Sequence, residues 1–246
     1  AVGQDKVIMK EILEYEHVPM VPWFFVYSND IANTYKDIEA KAEMIGYPLI
    51  IKPANLGSSI GIEIVHKKDE LKSALSECAK YDDKLVIEKM VKQLKEINIS
   101  VMGNSKDAKV SAIEEVMKGD EFLSFSNKYL GGGKGTKGSK PTKVAPTKGS
   151  KGMASASRIV PARLDGKKQE QIEEYALKSF KALNASGAVR IDFMIDKEDG
   201  SVYVNEINSI PGSLAFYLWK EVGVDFREEC DMLINNALNV YREKKK

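Results

Sequence analysis

The stretch from Val189 to Asn208 constrains the fold of this chain more than any other. It reads Val189-Arg190-Ile191-Asp192-Phe193-Met194-Ile195, then Asp196-Lys197-Glu198-Asp199-Gly200, then Ser201-Val202-Tyr203-Val204-Asn205-Glu206-Ile207-Asn208. Two runs rich in β-branched and aromatic residues flank a pentapeptide ending in Asp-Gly, which predicts a hairpin. A turn centred on Glu198 sets Arg190 opposite Glu206 and Asp192 opposite Val204. Side chains alternate along a strand. Arg190, Asp192, Met194, Glu206 and Asn208 then share one face, and Val189, Ile191, Phe193, Ile195, Tyr203 and Ile207 form a core face. In this register Asp192 and Glu206 are diagonal neighbours, roughly 7–8 Å apart. Such a spacing admits hard divalent cations between them, with phosphate oxygens completing the shell. The plainer reading is a solvated face with ordinary salt bridges, which half-exposed hairpins often carry.

The rest of the chain supplies enough material for a large core, with 246 residues of which 43% are hydrophobic. This suits one large domain or two intertwined ones. A net charge of +1 exerts no global pull toward nucleic acid or membrane. Cys78 and Cys230 lie in helix-like segments without a partner at metal or redox spacing, which predicts reduced core residues and a cytoplasmic location. No apolar run approaches the ~20 residues of a membrane span. The chain begins at Ala1 and enters a helical pattern almost at once, so we expect an N-terminal part to precede it.

Helical spacing of Val7, Ile8, Ile12 and Tyr15 predicts a helix over Asp5–Tyr15. Pro19 and Pro22 lead into an extended Trp23–Val26. A second helix is expected over Thr34–Ile45, capped by Thr34. Leu49–Lys52 and Gly61–Val65 read as strands, and Asp69–Tyr81 as a third helix. Residues 1–84 are expected to form one α+β unit. Leu85–Glu88, Ile97–Met102 and Lys109–Val116 open a second, 85–246, covered by helices over Asp165–Ala185 and Asp225–Glu243.

Three further segments ask for a phosphate partner. Lys52-Pro53 precedes Gly57-Ser58-Ser59-Ile60-Gly61, so a strand delivers a lysine to a small-residue loop. Glycine permits close backbone approach, and backbone N–H groups with the Ser58 and Ser59 hydroxyls can wrap phosphate oxygens. An ordinary Gly-Ser hairpin is the plainer alternative. Glu88-Lys89-Met90-Val91 follows a buried-looking strand, with Glu96 eight residues after Glu88. Such a linker can offer backbone groups to an adenine edge and Glu96 to ribose hydroxyls, although a surface charge cluster also fits. Residues 131–152 hold seven Gly, six Lys and no acid. That composition predicts a mobile loop with affinity for a polyanion, or else a flexible linker. Lys128-Tyr129 just before it can place an ammonium and a phenol at a site's mouth. His17 and His66 are isolated and lack metal-ligand spacing.

Together these segments resemble the D-alanine–D-alanine ligase family of the ATP-grasp superfamily, from Asp5-Lys6 to about Gly212. The resemblance rests on Lys52-Pro53, Gly57–Gly61, Glu88 with Glu96, Lys128-Tyr129, Arg190–Phe193 and Asn205–Gly212. It implies an α+β fold, two lobes with mainly antiparallel sheets gripping ATP between them. It also implies that Lys6, Lys52 and Lys128 contact phosphates. Glu88, Lys89, Met90, Val91 and Glu96 would meet adenine and ribose, and Met194 would pack on the base. Asp192, Glu206 and Asn208 would hold two Mg2+ ions, with Mn2+ as a substitute. Arg190 and the Gly212 amide would stabilise an oxyanion, while Ser58 and Tyr129 would position substrate.

The implied reaction joins a carboxylate to an amine, both small molecules such as amino acids, through an acylphosphate. In this family that reaction serves peptidoglycan synthesis in the cell wall, and a homodimer is compatible with it. The basic loop would close over the site and exclude water. Two other readings are a nucleotide-binding fragment inactive without its N-terminal domain and an ATP-grasp small-molecule kinase. The chain departs from the family after Gly212. Ser213-Leu214-Ala215-Phe216-Tyr217-Leu218-Trp219 stands where Thr- and Ser-rich residues usually hold the second D-alanine's carboxylate. The acid and the amine are therefore left open.

Overall fold

The computed structural model describes residues 2–117 and 157–245. Lys128, Tyr129 and the 131–152 loop lie outside the described residues. Two antiparallel sheets organise the rest. The first has four strands in the order β1 (Trp23–Tyr27), β4 (Lys84–Lys89), β2 (Leu49–Pro53) and β3 (Glu63–Val65). The second has five, in the order β7 (Ser157–Ile159), β6 (Ala108–Met117), β5 (Leu94–Gly103), β8 (Gly187–Asp196) and β9 (Val202–Asn208). Every pairing is antiparallel, as expected for an α+β fold.

The sequence places β4 at the start of the second unit, yet it is an interior strand of the first sheet, between β1 and β2. Its Leu85 and Ile87 complete a core with Leu49, Ile51 and Val65, under α2 (Ile31–Ile45) and α3 (Leu71–Cys78). Helix α2 starts earlier than Thr34. The Thr34 hydroxyl donates to the Asp30 carbonyl one turn back, at 2.9 Å, instead of capping the helix.

Helix α1 (Lys6–Tyr15) is capped by Asp5, whose carboxylate accepts from the amides of Val7 and Ile8. Its buried face is Val7, Met9, Lys10 and Leu13, while Tyr15 stands exposed. Two apolar environments cause the difference from the expected stripe. Met9 and Leu13 enter the core of the second sheet, and Val7 joins Ala54 and Val86 of the first. Helix α1 thus belongs to both sheets. The second sheet's core is closed by α4 (Gly166–Ala182), which Asp165 caps and which buries Ile172, Ala176 and Phe180. At the end of its other face lie α5 (Phe216–Lys220) and α6 (Phe226–Lys244), where Trp219 packs with Met102, Ala188, Met232 and Leu233. Among the described residues no helix is long and apolar enough to cross a membrane, and Cys78 and Cys230 are not disulfide-bonded.

Glu229 on α6 has no exposed surface, and neither of its carboxylate oxygens has a hydrogen-bond partner. Burial pushes its carboxyl up to about 7. A folded value above the unfolded one means stability that is present at low pH and lost as pH rises through 7. Glu229→Gln removes that loss. The variant is expected to exceed the parent by about 1–3 kcal/mol in unfolding free energy at pH 8 and to match it near pH 4. Urea denaturation at both pH values checks this. A gain independent of pH would show that no buried charge is involved.

Candidate active site

The hairpin forms where the sequence places it, but in a different register. Near the turn Ile195 pairs with Val202, Met194 with Tyr203 and Phe193 with Val204. A β-bulge then inserts Asn205, so that Asp192 lies opposite Glu206 and Arg190 opposite Asn208. The turn closes one register step later than a Glu198-centred one, and the bulge adds another. The first step inverts the faces, so Val202 and Val204 enter the core while Tyr203 joins Met194, Val91 and Val21 on the other side. The second step restores them, and Arg190, Asp192, Glu206 and Asn208 share a face as expected. The correction brings the two carboxylates closer: they are directly cross-strand rather than diagonal, about 4.5–5.5 Å apart at Cβ.

This face is a set of cross-strand rows. One runs Glu114–Asn98–Asp192–Glu206 across β6, β5, β8 and β9. Along β8 from it, Glu96 stands beside Met194. Arg190 grips Asp192 with a two-pronged contact, Nε to Oδ1 at 2.6 Å and Nη2 to Oδ2 at 2.7 Å. The Asn208 amide donates to Asp192 Oδ2 at 2.9 Å. Burial is the main influence on the Asp192 carboxyl and pushes it up to about 6, aided by Glu206 and opposed by Arg190. Among the described residues Glu206 itself makes no hydrogen bond or ion pair.

The donor chemistry fits a hard dication. Two carboxylates and an amide oxygen are the ligands such an ion prefers, and Glu206 beside a buried carboxyl raises the charge density that would attract one. No group of three or more His, Cys, Asp or Glu able to hold a metal gathers among the described residues. The amide of Asn208 would therefore be needed as a third ligand.

The first sheet faces this cluster with lysines. Lys52 on β2 donates to Asn205 Oδ1 at 3.2 Å, so the bulged residue ties one sheet to the other. Lys6, at the start of α1, donates to the Leu56 carbonyl in the glycine-serine loop. Burial lowers the affinity of its ammonium for a proton, against the pull of Glu206. Ser58 and Ser59 are exposed and adopt left-handed φ of 54° and 57°, a conformation that non-glycine residues retain mainly where function requires it. Gly61 (φ 70°) closes the loop where a Cβ would lie 2.7 Å from the Tyr81 ring.

The Glu88 side chain is turned into the protein interior. It is 1% exposed, with Oε2 3.0 Å from Lys10 Nζ and Oε1 against Lys52 Nζ. Burial alone would raise its carboxyl, but the two ammonium groups hold it at about 2. Strand β4 points the Glu88 side chain inward between α1 and β2, where both of its oxygens face lysines. In the linker that follows, the Lys89 side chain serves the carbonyls of Gly46 and Tyr47. Val91 packs beside Val21, Met194 and Tyr203.

Beyond Gly212 the chain makes a left-handed turn, with Ser213, Leu214 and Ala215 at φ of 50°, 56° and 60°. It aims Tyr217 back at the sheet. The Tyr217 hydroxyl donates to Glu114 Oε1 at 2.7 Å, the Asn98 amide donates to the same oxygen at 2.8 Å, and the Arg158 guanidinium lies 4.8 Å from the Tyr217 ring centre. Burial, then the Glu114 carboxylate, raise the Tyr217 phenol above its ordinary value. Sequence reasoning missed Asn98, Glu114, Arg158 and Tyr217. The alternation Glu96-Ile97-Asn98-Ile99-Ser100 was the available signal, since it marks one face of β5 as polar.

Residues 12–235 match the family model described as the D-Ala–D-Ala ligase C-terminus. The chain belongs to the D-alanine–D-alanine ligase family. Its similarity to the D-alanine–D-alanine ligase of Thermosipho africanus is 37% identity over 245 residues, covering 98% of this chain and 59% of that protein. With the Acetivibrio thermocellus ligase it is 36% over 252 residues, covering 99% and 60%. The family member thus spans about 60% of the length of these relatives. Its fold is similar to the crystal structure of the VanG D-Ala:D-Ser ligase from Enterococcus faecalis, with a TM-score of 0.74 and 25% identity over 96% of this chain and 62% of that one. The D-alanine–D-alanine ligase of Bacillus anthracis complexed with ATP gives a TM-score of 0.70 at 25% identity, covering 98% and 67%. The two-sheet architecture is therefore the ATP-grasp fold.

Proposed function

We propose that this chain is the catalytic core of an ATP-dependent carboxylate–amine ligase. The observation that carries the reading is the direct opposition of Asp192 and Glu206, flanked by Asn208 and Arg190 and faced by Lys6 and Lys52. A carboxylate substrate attacks the γ-phosphorus of ATP and releases ADP, leaving an acylphosphate. The amine then displaces phosphate at the acyl carbon, forming the amide and losing a proton. Such chemistry is governed by positioning and by offsetting phosphoryl charge.

Lys6 and Lys52 bring positive charge to the phosphates. Met194 packs against the base, the backbone of Lys89 and Val91 offers it polar groups, and Glu96 beside Met194 serves the ribose. Ser58 and Ser59 close on the phosphates from the exposed loop. Arg190 and the Gly212 amide lie where negative charge develops on the acyl oxygen. Magnesium, held by Asp192, Glu206 and Asn208, would supply Lewis-acid stabilisation of the phosphoryl oxygens. The wall formed by Glu114, Tyr217 and Arg158 replaces the family's hydroxyl-rich segment and sets the amine pocket. The free cysteines and the need for ATP favour the cytoplasm.

Calorimetry with Mg·ATP, joined to a phosphate-release screen of the full-length protein against D- and L-amino acids and short peptides, tests the reading. Amide formation with stoichiometric ADP and phosphate is expected. A stable phosphorylated product would mark a kinase instead, and nucleotide binding without turnover would mark a binding module.

A further inference from the structure

Lys10 belongs to none of the sequence motifs, yet its environment is unusual for a lysine. It is 1% exposed, on α1, with its ammonium 3.0 Å from Glu88 Oε2 and 5.7 Å from the Trp23 ring centre. Lysine is almost never fully buried without a partner, and burying an ion pair is costly even when the pair is complete. A buried apolar residue would pack here at lower cost, so the charge itself needs a reason.

The reason lies on the opposite edge of the same carboxylate. Glu88 Oε1 receives Lys52, the β2 lysine that also reaches Asn205 beside Glu206. One carboxylate holding one lysine would be neutral, and Lys52 would have little net attraction left for an anion. One carboxylate holding two lysines carries a net charge of +1, and only Lys52, 12% exposed, reaches the cleft.

We propose that Lys10 is a positioning residue that neutralises Glu88 from behind, so that Glu88 orients Lys52 without cancelling the charge it presents to the nucleotide's phosphates. Lys10 touches no ligand. The proposal rests on the nucleotide reading of the site and adds to it a residue that acts through two others.

The test compares a charged ligand with a neutral one. Binding of Mg·ATP and of adenosine is measured by calorimetry on the full-length protein and on its Lys10→Met, Lys10→Arg and Lys10→Met/Glu88→Gln variants. Lys10→Met leaves Glu88 still paired with Lys52, and is expected to weaken Mg·ATP binding about 10–100-fold, the usual range for outer-shell partners. Adenosine binding should not change. Lys10→Arg should keep the affinity for Mg·ATP. The double variant removes one positive and one negative charge and should recover most of what Lys10→Met loses, which a packing role for Lys10 would not produce.

Equal weakening of both ligands in Lys10→Met, or unchanged Mg·ATP binding, overturns the proposal, as does a double variant weaker than the single. Should Lys10→Met fail to fold, Lys10→Arg and the double variant carry the test, and loss of Mg·ATP but not adenosine binding in either overturns it. Absence of Mg·ATP binding by the parent protein would instead remove the nucleotide reading, and this proposal with it.

Discussion

Glu206→Gln is expected to lower ADP formation by about 10²–10³-fold, the range seen when one preorganised electrostatic partner of a transition state is removed. The substitution keeps the side chain's shape and deletes only its charge. Glu206 is partly exposed and makes no hydrogen bond or ion pair among the described residues, so no packing is disturbed. Its electrostatic effects oppose one another, since it pushes the Asp192 carboxyl upward and attracts the Lys6 ammonium. Stability should therefore change by no more than about 0.5 kcal/mol. A coupled ADP-release assay and a thermal melt measure the two effects separately. Unchanged turnover would remove Glu206 from the metal-binding set. Lost turnover with a collapsed melt would make the residue structural.

Arg190→Met should cost both activity and stability. The guanidinium is 7% exposed and holds both oxygens of Asp192. Removing one partner of a buried pair leaves the other charge uncompensated, at a cost of about 3–5 kcal/mol. Asp192 would then titrate higher than its present value of about 6, so the loss should be larger at pH 8 than at pH 5. A second substitution, Asp192→Asn, should restore most of the stability because the orphaned charge is gone. It should not restore turnover, which is expected to remain about 10²–10³-fold down. Urea denaturation of the single and double variants checks the first part. A single variant as stable as the parent would show that the two-pronged contact contributes nothing to the fold.

Much of this site was legible in the sequence, because strand alternation is a strong constraint. Arg190, Asp192, Glu206 and Asn208 fall on one face in either register, since the two errors in the expected pairing cancel beyond Asn205. Tyr203 shows where that fortune ends. It lies between the turn and the bulge, where only one error applies, and it sits on the site face and not in the core. A bulge has no reliable signature in sequence. Here Asn205 meets Lys52 while Glu206 stands opposite Asp192.

Local sequence was sufficient for the hairpin and its charged face, the lysine delivered by β2, the glycine-serine loop, and the helix starts at Asp5, Asp165 and Asp225. Each depends on neighbours within a few residues, where backbone geometry leaves few choices. Long-range packing was needed to put β4 inside the first sheet, to set α1 on both sheets, and to turn Glu88 inward to two lysines. It also brought Tyr217 to Glu114 across 103 residues of chain. These outcomes depend on which surfaces meet in three dimensions, and charge pairing at a buried point is set by partners that no local pattern identifies. The lysine delivered by β2 was readable from its motif, whereas buried Lys10 behind it was not.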